Sequence, residues 1–438
     1  MISLIRKLKG LNPSLFIVSI FILALPFIVN VHMSDIVLSI RYLALSVLIF
    51  LLSLLNFRRG VIKSVIKNPL FLSLLLLFFV NIFSALYHDF TADAIVSLFR
   101  LFVLLSLTIF FASIFVKEDY LQIAKSILLF SFISLLIYFW QIYVAFTSNK
   151  DFMSEVELIS ATMANKNLLA SILFLSLPFL FYVYQSASKF WKILVFLVLA
   201  LILCSLIIIQ SKAVLLALFI MSFSIILFSF RENKMLVLYF ILLVSVISSI
   251  VLIASPKVGL QFKQELSQLI QTKDRFLNNQ LVENDSRISL YIKTFSMIKD
   301  NPILGVGPGN WKKVFPKYGL YNTTGEKGKK FVQRPHSDFL WFFSEGGVIS
   351  GFLYILMFLL LLRDIFYLYI KNNDRSRYFF LILFSTVLGY VFISLLDFPS
   401  ERPTHNLFLA IILGIVISRN LNKEAYYNTS NRIFGIIL

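Results

Sequence analysis

The sequence is poor in cysteine and in charged residues, and both shortages limit what the chain can be. Its single cysteine, Cys204, excludes an intramolecular disulfide and, within an apolar run, is expected to serve in packing. Charged residues make up only 14% of the chain, whereas 59% of the residues are hydrophobic and 48 are phenylalanine. Because this composition exceeds what a soluble core can bury, we expect a polytopic membrane protein.

Internal repeats and low-complexity tails are not evident either. Many transporters are built from two halves of related, inverted topology, and this sequence shows no such symmetry. Its polar residues gather towards one membrane face rather than near the bilayer midplane. These features disfavour a transporter, which stays open as an alternative.

What the chain has in abundance is apolar segments of membrane-spanning length. A spanning helix needs about 20 mostly apolar residues. The sequence therefore predicts an all-α polytopic membrane protein with about 12 transmembrane helices, near residues 13–31, 36–56, 69–87, 94–116, 122–147, 163–185, 190–209, 212–230, 235–255, 347–370, 377–395 and 404–419.

The distribution of Lys and Arg predicts the orientation of these helices. Basic residues crowd the connections at one face, as at 58–67, whereas the loop at 88–93 contains none. Since cytoplasmic loops carry the excess of Lys and Arg, both termini are predicted to be cytoplasmic. The first apolar segment lacks a small-residue cleavage pattern and is expected to be a signal anchor.

One long polar loop interrupts the apolar chain and divides it into three regions. Residues 1–255 hold helices 1–9, residues 256–335 form a loop outside the cytoplasm, and residues 336–438 hold helices 10–12 and a cytoplasmic tail. Apolar spacing predicts an amphipathic helix over 258–277 in the loop, and a second from the cap at 284–286 to Asn301-Pro302. The run 305–310 predicts a tight glycine-rich turn with backbone N–H groups suited to an anion.

The formal net charge of +18 does not require nucleic acid as a partner. Most cations lie in the predicted cytoplasmic loops, where topology and anionic lipid account for them. Residues 256–335, however, include fourteen Lys and Arg but only six Asp and Glu, an excess of positive charge that topology does not require. An anionic partner, such as a lipid with a phosphate or pyrophosphate, would explain it.

Further cations are predicted near the same ends of the helices. Arg41 and Arg100 lie within spans, Lys166 and Lys212 at helix starts, and Arg402 in the last loop. An intramembrane Arg is costly and usually faces a polar cavity or a partner. Arg41 and Arg100 are therefore candidates for an anion site, while snorkelling to headgroups is the alternative for the others.

His336 is the candidate general base. A lone histidine at the mouth of a helix is more often a hydrogen-bonded bystander, but His336 stands between Arg334 and Asp338 at the rim of the predicted anion site. Near neutral pH an imidazole is able to accept a proton from a sugar hydroxyl.

A set of motifs resembles the O-antigen ligase and O-antigen polymerase superfamily: Arg287, the run Asn301-Pro302-Ile303-Leu304-Gly305-Val306-Gly307-Pro308-Gly309-Asn310, His336 and Glu345-Gly346-Gly347. Looser similarity at 165–170 and 211–213 extends the resemblance over about 160–415. Many family members have Ser-Arg where this chain has Ser211-Lys212. Lysine keeps the charge but lacks the bidentate fork of arginine, so phosphate contact there is expected to be looser.

The resemblance implies a bacterial inner-membrane glycosyltransferase that needs no metal and no cofactor, with a periplasmic loop over its active site. Its donor would be a glycan on undecaprenyl pyrophosphate. The acceptor would be lipid A core for a ligase, or a second lipid-linked glycan for a polymerase. By the same resemblance, Arg287 and Lys212 would bind the donor pyrophosphate and His336 would activate the acceptor hydroxyl.

The leading hypothesis is an O-antigen ligase with His336 and Arg287 as catalytic residues. Lys212 would join Arg287 at the pyrophosphate, and Arg41, Arg100 and Arg402 are lesser candidates there. A polymerase of the same superfamily is the first alternative, and a transporter or flippase for a lipid-linked glycan is the second. A non-catalytic scaffold would explain the apolar bulk but not the pairing of Arg287 with His336.

Overall fold

The computed structural model describes residues 12–30, 35–56, 59–88, 90–116, 119–148, 159–229, 286–319 and 332–421, together with the single positions 234 and 238. Within these residues the chain forms fourteen α-helices and no strand. They are α1 Pro13–Ala24, α2 Leu38–Asn56, α3 Arg59–Ile66, α4 Pro69–Tyr87, α5 Ala92–Phe115, α6 Leu121–Thr147, α7 Lys166–Ser186, α8 Lys189–Ile209, α9 Lys212–Ser229, α10 Ser286–Asp300, α11 Trp311–Val314, α12 Asp338–Lys371, α13 Ser376–Leu396 and α14 Pro403–Asn420.

The all-α polytopic architecture predicted from the sequence is confirmed. Nine helices of the described part of the chain are long and apolar enough to cross a membrane. Every predicted span coincides with a described helix except the ninth, 235–255, of which only position 238 is described. The predicted loop helix 258–277 lies entirely outside the described residues. The hairpin between α8 and α9 turns at Gln210, whose left-handed backbone (φ 53°) ends α8.

Three helices differ from the sequence prediction. The first ends early, because Pro26 lacks the N–H of a regular turn and residues Leu25–Phe27 tighten into a 3₁₀ turn. The short amphipathic helix α3 was missed, since its few residues resemble a basic connection. Helix α12 begins at Asp338, well before the predicted start near 347, because a kink at Gly347 joins two helical pieces into one element.

Helix α14 lies in the centre of the bundle. Every residue from 403 to 418 is buried, whereas a helix at the lipid surface of the bundle would expose one side. It packs chiefly along α5 and also touches α2, α7 and α12. The polar start of α14 is therefore enclosed by neighbouring helices, and buried polar groups there need partners from the protein itself.

The described part of the loop has a small core of its own. Helix α10 confirms the predicted second amphipathic helix, and it packs against α12. Its Met297 meets Trp311 and Phe315, whose rings stack at 4.2 Å. This core fixes the loop on one membrane face, which we call the loop face: the face at which residues 286–319 and 332–337 lie.

Candidate active site

The glycine-rich turn at 305–310 docks onto the kink of α12. The Val306 N–H donates to the carbonyl of Ser344 (2.9 Å), and the Gly307 N–H to the carbonyl of Glu345 (2.9 Å). The Trp311 N–H donates to the Glu345 carboxylate, with N and Oε1 3.2 Å apart. The N–H groups of Val306 and Gly307 in the turn thus bind backbone carbonyls of α12, and the Glu345 carboxyl binds the N–H that follows the turn, which differs from the expectation that the turn serves an anionic ligand.

Gly347 makes this docking possible. Its φ of +74° is rare for residues with a side chain, and an added Cβ would overlap the carbonyl of Ile303. On the other side of the kink, the Val348 N–H donates to the carbonyl of Pro302 across 2.7 Å. The turn and the kink therefore hold the loop against the first half of α12, next to His336.

Three arginines converge on Glu401 at the loop face. Arg334 Nη1 lies 2.6 Å from Glu401 Oε2, and Arg402 Nη2 lies 3.2 Å from the same oxygen. Arg100 Nη2 is 3.5 Å from Glu401 Oε1. We call this group the arginine cluster: Arg100, Arg334 and Arg402 around Glu401. It carries more positive than negative charge, so it is suited to a further anion.

The turn that presents Glu401 is fixed from several sides. The buried carboxylate of Asp338 accepts hydrogen bonds from the N–H (3.0 Å) and the hydroxyl (2.5 Å) of Ser400. The Tyr42 hydroxyl donates to the carbonyl of Glu401 across 3.0 Å. The Asn406 amide in turn donates to the Tyr42 hydroxyl. These bonds leave the backbone around Glu401 little freedom to move.

Arg402 also pairs with Asp35, with Nη1 and Oδ2 2.5 Å apart. Asp35 caps α2 by accepting from the N–H groups of Val37 and Leu38. Burial favours its neutral form, but the charge and hydrogen bond of Arg402 and the two N–H bonds lower the pKa of Asp35 overall. The pair is therefore ionised and joins the start of α14 to the start of α2.

Arg41 reaches the same face but is occupied by protein groups. Its Nε donates to the carbonyl of Ile28, and Nη2 donates to both oxygens of Thr162. Nη1 contacts Thr404 Oγ1 (3.3 Å) and Met163 Sδ (3.4 Å). Because all five donors of the guanidinium are used in this way, its geometry favours a role in holding helices together over contact with a substrate.

His336 lies beside the arginine cluster. Its backbone is left-handed, with φ +53°, and its ring meets Phe398 edge-on at 5.0 Å. The guanidinium of Arg334 covers the same Phe398 ring at 4.6 Å. Burial and the positive charges of Arg287 and Arg334 lower the pKa of His336 to about 4, although Glu401 acts in the opposite direction. The imidazole is therefore neutral at pH 7.

The structure brings Arg287 to His336. Arg287 lies in the first turn of α10 with its side chain exposed, close enough for its charge to act on His336 and Asp397. Lys212 is exposed at the start of α9. The helices α7 and α8, joined by short turns, lie between Lys166 and Lys212 in the chain. Both lysines therefore lie at the same end of the bundle. The contact of Ser171 in α7 with His405 in α14 (2.7 Å) places these ends at the loop face.

An open cavity leads from the arginine cluster between the helices. It is narrow and partly open to solvent. Arg100 lines it, and its buried Nε has no hydrogen-bond acceptor among the described residues. Leucines line it too, Leu74 and Leu77 from α4 and Leu101 and Leu104 from α5, together with polar groups such as Asn81 and Glu345. The cavity thus combines a cation with an apolar and partly polar lining.

The sequence did not indicate a role for Glu401 or Ser400. It also did not indicate the contact of Asp338 with Ser400 or that of Arg334 with Glu401. A signal was present in the run Pro399-Ser400-Glu401-Arg402-Pro403, which places adjacent opposite charges in a short turn between apolar helices. Charges at such a position are costly unless they are paired. The sequence alone, however, does not name the partners, which come from α5 and from the end of the loop.

Comparison with known proteins agrees with the motifs. No curated protein matches the chain at a significant level. The family model described as O-antigen ligase matches residues 197–356, which extend from α8 into α12 and include Lys212, Arg287 and His336. This match over residues 197–356 confirms the resemblance to the O-antigen ligase and polymerase superfamily.

Proposed function

We propose that the protein transfers a glycan from undecaprenyl pyrophosphate to an acceptor hydroxyl, as an O-antigen ligase with lipid A core as the acceptor. The observation that carries this proposal is the position of a neutral His336 beside the arginine cluster at one membrane face. A base for a hydroxyl and a cationic site for a leaving phosphate are the two groups that such a transfer needs. The family match at 197–356 supports the same class of enzyme.

In this reaction the acceptor oxygen attacks the anomeric carbon while the bond from that carbon to the phosphate oxygen breaks. The proton of the acceptor hydroxyl moves to a ring nitrogen of His336. Undecaprenyl pyrophosphate leaves with the bonding electron pair, and nearby Arg287, Lys212, Arg100 and Arg334 stabilise its negative charge. Removal of one such donor typically lowers the rate by about 10²–10³-fold.

The low pKa of His336 suits a base that works only when the donor is bound. In the free protein, Arg287 and Arg334 oppose protonation of the imidazole. A bound pyrophosphate would offset these charges and raise the pKa of His336 towards the range where proton transfer is efficient. The base is therefore strengthened by the substrate whose bond is to be broken.

The cavity beside Arg100 supports a lipid-linked donor. Its lining includes Arg100, which suits a pyrophosphate, and leucines of α4 and α5, which suit the start of an isoprenoid chain. We place the loop face on the periplasmic side of the inner membrane, with both termini in the cytoplasm, as the distribution of Lys and Arg predicts.

The test is transfer by the purified protein in detergent, with a lipid-linked glycan as donor and product measured on a gel. An enzyme retains this activity, whereas a transporter or flippase has none. His336→Ala should abolish transfer, and Arg287→Ala should lower it about 10²–10³-fold. Arg287→Lys should weaken it less than Arg287→Ala. The control is Arg363→Ala, since Arg363 is exposed near the far end of α12. Full activity of His336→Ala would refute the mechanism.

The acceptor is tested in cells that lack the gene. Loss of a ligase leaves long polysaccharide chains on the lipid carrier and none on lipid A core. Loss of a polymerase leaves single repeats attached to the acceptor. A polysaccharide gel separates these outcomes, and single repeats would replace the ligase assignment with the polymerase alternative.

A further inference from the structure

Glu401 is an unusual residue to find in a site for an anion. Its side chain is 5% exposed and points into three guanidinium groups, the nearest at 2.6 Å. A buried carboxylate in this position competes in principle with a phosphate for the same donors. The role of Glu401 depends on whether its carboxylate blocks the anion site or holds in place the arginines that form this site.

The backbone contacts of Glu401 show that it is fixed in place. The 3₁₀ turn Pro399–Glu401 is held by Asp338 through Ser400, and Tyr42 binds the carbonyl of Glu401 itself. A residue held on both sides and nearly closed to solvent is poorly suited to swing away when a ligand arrives. The carboxylate is therefore a permanent part of the cluster.

The arginines, by contrast, are not closed off. The side chains of Arg100 and Arg334 are 15% and 17% exposed, while Arg402 is 7% exposed. A guanidinium has five donors, and contact with one carboxylate leaves several of them for another anion. The buried Nε of Arg100, which has no acceptor among the described residues, lies in a residue that lines the cavity.

Without Glu401 the three guanidiniums would repel one another. Each lies within 3.5 Å of the same carboxylate, and like charges this close are strongly unfavourable where little water screens them. Removal of the carboxylate would therefore spread the arginines rather than release them for a ligand. Long side chains also gain rotamer freedom when a fixed partner is lost.

We propose that Glu401 is a positioning residue that presents Arg100 and Arg334 to the diphosphate group of the substrate. The inference rests on the proposed function, since a lipid diphosphate is the anion assigned to this site. Glu401 does not touch the substrate; it keeps two arginine forks at a fixed spacing, so that their free edges meet the diphosphate together.

The test measures binding of inorganic pyrophosphate to the full-length protein in detergent by calorimetry. Glu401→Gln should weaken binding about tenfold or more, because charge-assisted hydrogen bonds from two arginines lose their geometry. The matched control is Asp364→Asn, which removes another buried carboxylate paired with an arginine, Arg363, near the far end of α12. This control should bind pyrophosphate as the wild type does.

A double-mutant cycle separates positioning from a general loss of structure. In an Arg334→Gln background, Glu401→Gln should weaken binding by no more than about threefold, because only one of the two arginines that it positions, Arg100, is left. A merely structural role would weaken binding equally in both backgrounds. If Glu401→Gln does not fold, Glu401→Asp decides the matter: it withdraws the carboxylate by one methylene and should weaken binding at least about threefold.

If Glu401→Gln binds pyrophosphate as tightly as the wild type or more tightly, the positioning role is overturned but the donor site stays in place. The same holds for Glu401→Asp if Glu401→Gln does not fold. Tighter binding would mean that the carboxylate competes with the ligand. Failure of the wild type to bind pyrophosphate at all would instead overturn the assignment of the arginine cluster to the donor, and with it the proposed function. The two failures are thus distinct.

Discussion

The hydroxyl of Tyr291 donates a hydrogen bond to the carbonyl of His336, with the two oxygens 3.1 Å apart. Tyr291 lies one helical turn after Arg287 on the same face of α10. This bond therefore joins α10, which carries Arg287, to His336, which precedes α12. It also stabilises the left-handed backbone of His336, which a residue other than glycine rarely adopts.

Tyr291→Phe tests this connection with the loss of a single hydroxyl. We expect kcat/KM for transfer to fall about three- to tenfold, since one neutral hydrogen bond contributes about 0.5–1.5 kcal/mol. Tyr318→Phe is the matched control, because its hydroxyl binds Asp300 across 2.8 Å on the exposed side of the loop. Equal effects of the two variants would contradict a special role for the contact with His336.

The pH dependence of transfer tests the environment of His336. A histidine with the ordinary pKa of about 6.5 would be mostly protonated at pH 5.5, and a reaction that needs its neutral form would slow about tenfold between pH 7.5 and 5.5. Since burial and two arginines lower the pKa of His336 to about 4, the neutral form should persist. We expect kcat/KM, which reports the free enzyme, to change less than about twofold over this range.

Arg287→Gln should move this profile in a defined direction. Removal of one of the two positive charges that oppose protonation raises the pKa of His336, so the decline of kcat/KM on acidification should begin at higher pH. The residual activity of the variant suffices for the profile, because only its shape is needed. A decline centred near pH 6.5 in the wild type would contradict the buried, cationic environment.

Hydropathy predicted the bundle well because each spanning helix is specified locally. The lipid solvent requires about 20 apolar residues whatever the neighbours are, and the cap and stop signals of α10 are likewise local. The start of α12 was predicted too late, because the kink at Gly347 depends on contact with the distant turn at 301–310.

The site was harder to predict because its partners are distant in sequence. Arg41 and Arg100 look alike in the sequence as intramembrane arginines. Arg41, however, donates hydrogen bonds to Thr162, Thr404 and Ile28, whereas Arg100 lines a cavity. The glycine-rich turn looks like an anion site, but its N–H groups at Val306 and Gly307 donate to backbone carbonyls of α12. Charge and spacing therefore identified candidate groups, whereas tertiary contacts decide what each group binds.

Lys212 tests how much a forked side chain matters at the donor site. Lys212→Arg should lower KM for the lipid-linked donor about two- to fivefold, since a guanidinium is able to bind a phosphate through two parallel hydrogen bonds. Lys212→Met should raise KM about tenfold. Lys189→Met is the control, because Lys189 begins α8 at the opposite end from Lys212. A Lys212→Met variant with unchanged donor KM would remove this residue from the site.

The docking of the loop on α12 is tested by two glycines that share a positive φ but differ in their surroundings. Gly319 has a φ of +100°, and among the described residues an added Cβ would meet only the end of Lys293 at 3.7 Å, so Gly319→Ala should cost about 1–3 kcal/mol from backbone strain. Gly347→Ala adds to this strain an overlap with the carbonyl of Ile303. The overlap is relieved only if the turn moves away from the kink of α12. We expect Gly347→Ala to lower Tm in detergent at least twice as much as Gly319→Ala and to abolish transfer, because His336 and α10 lose their support on α12. Equal shifts in Tm would mean that the turn moves away from the kink without cost and that the loop is held by the small core around Trp311 instead.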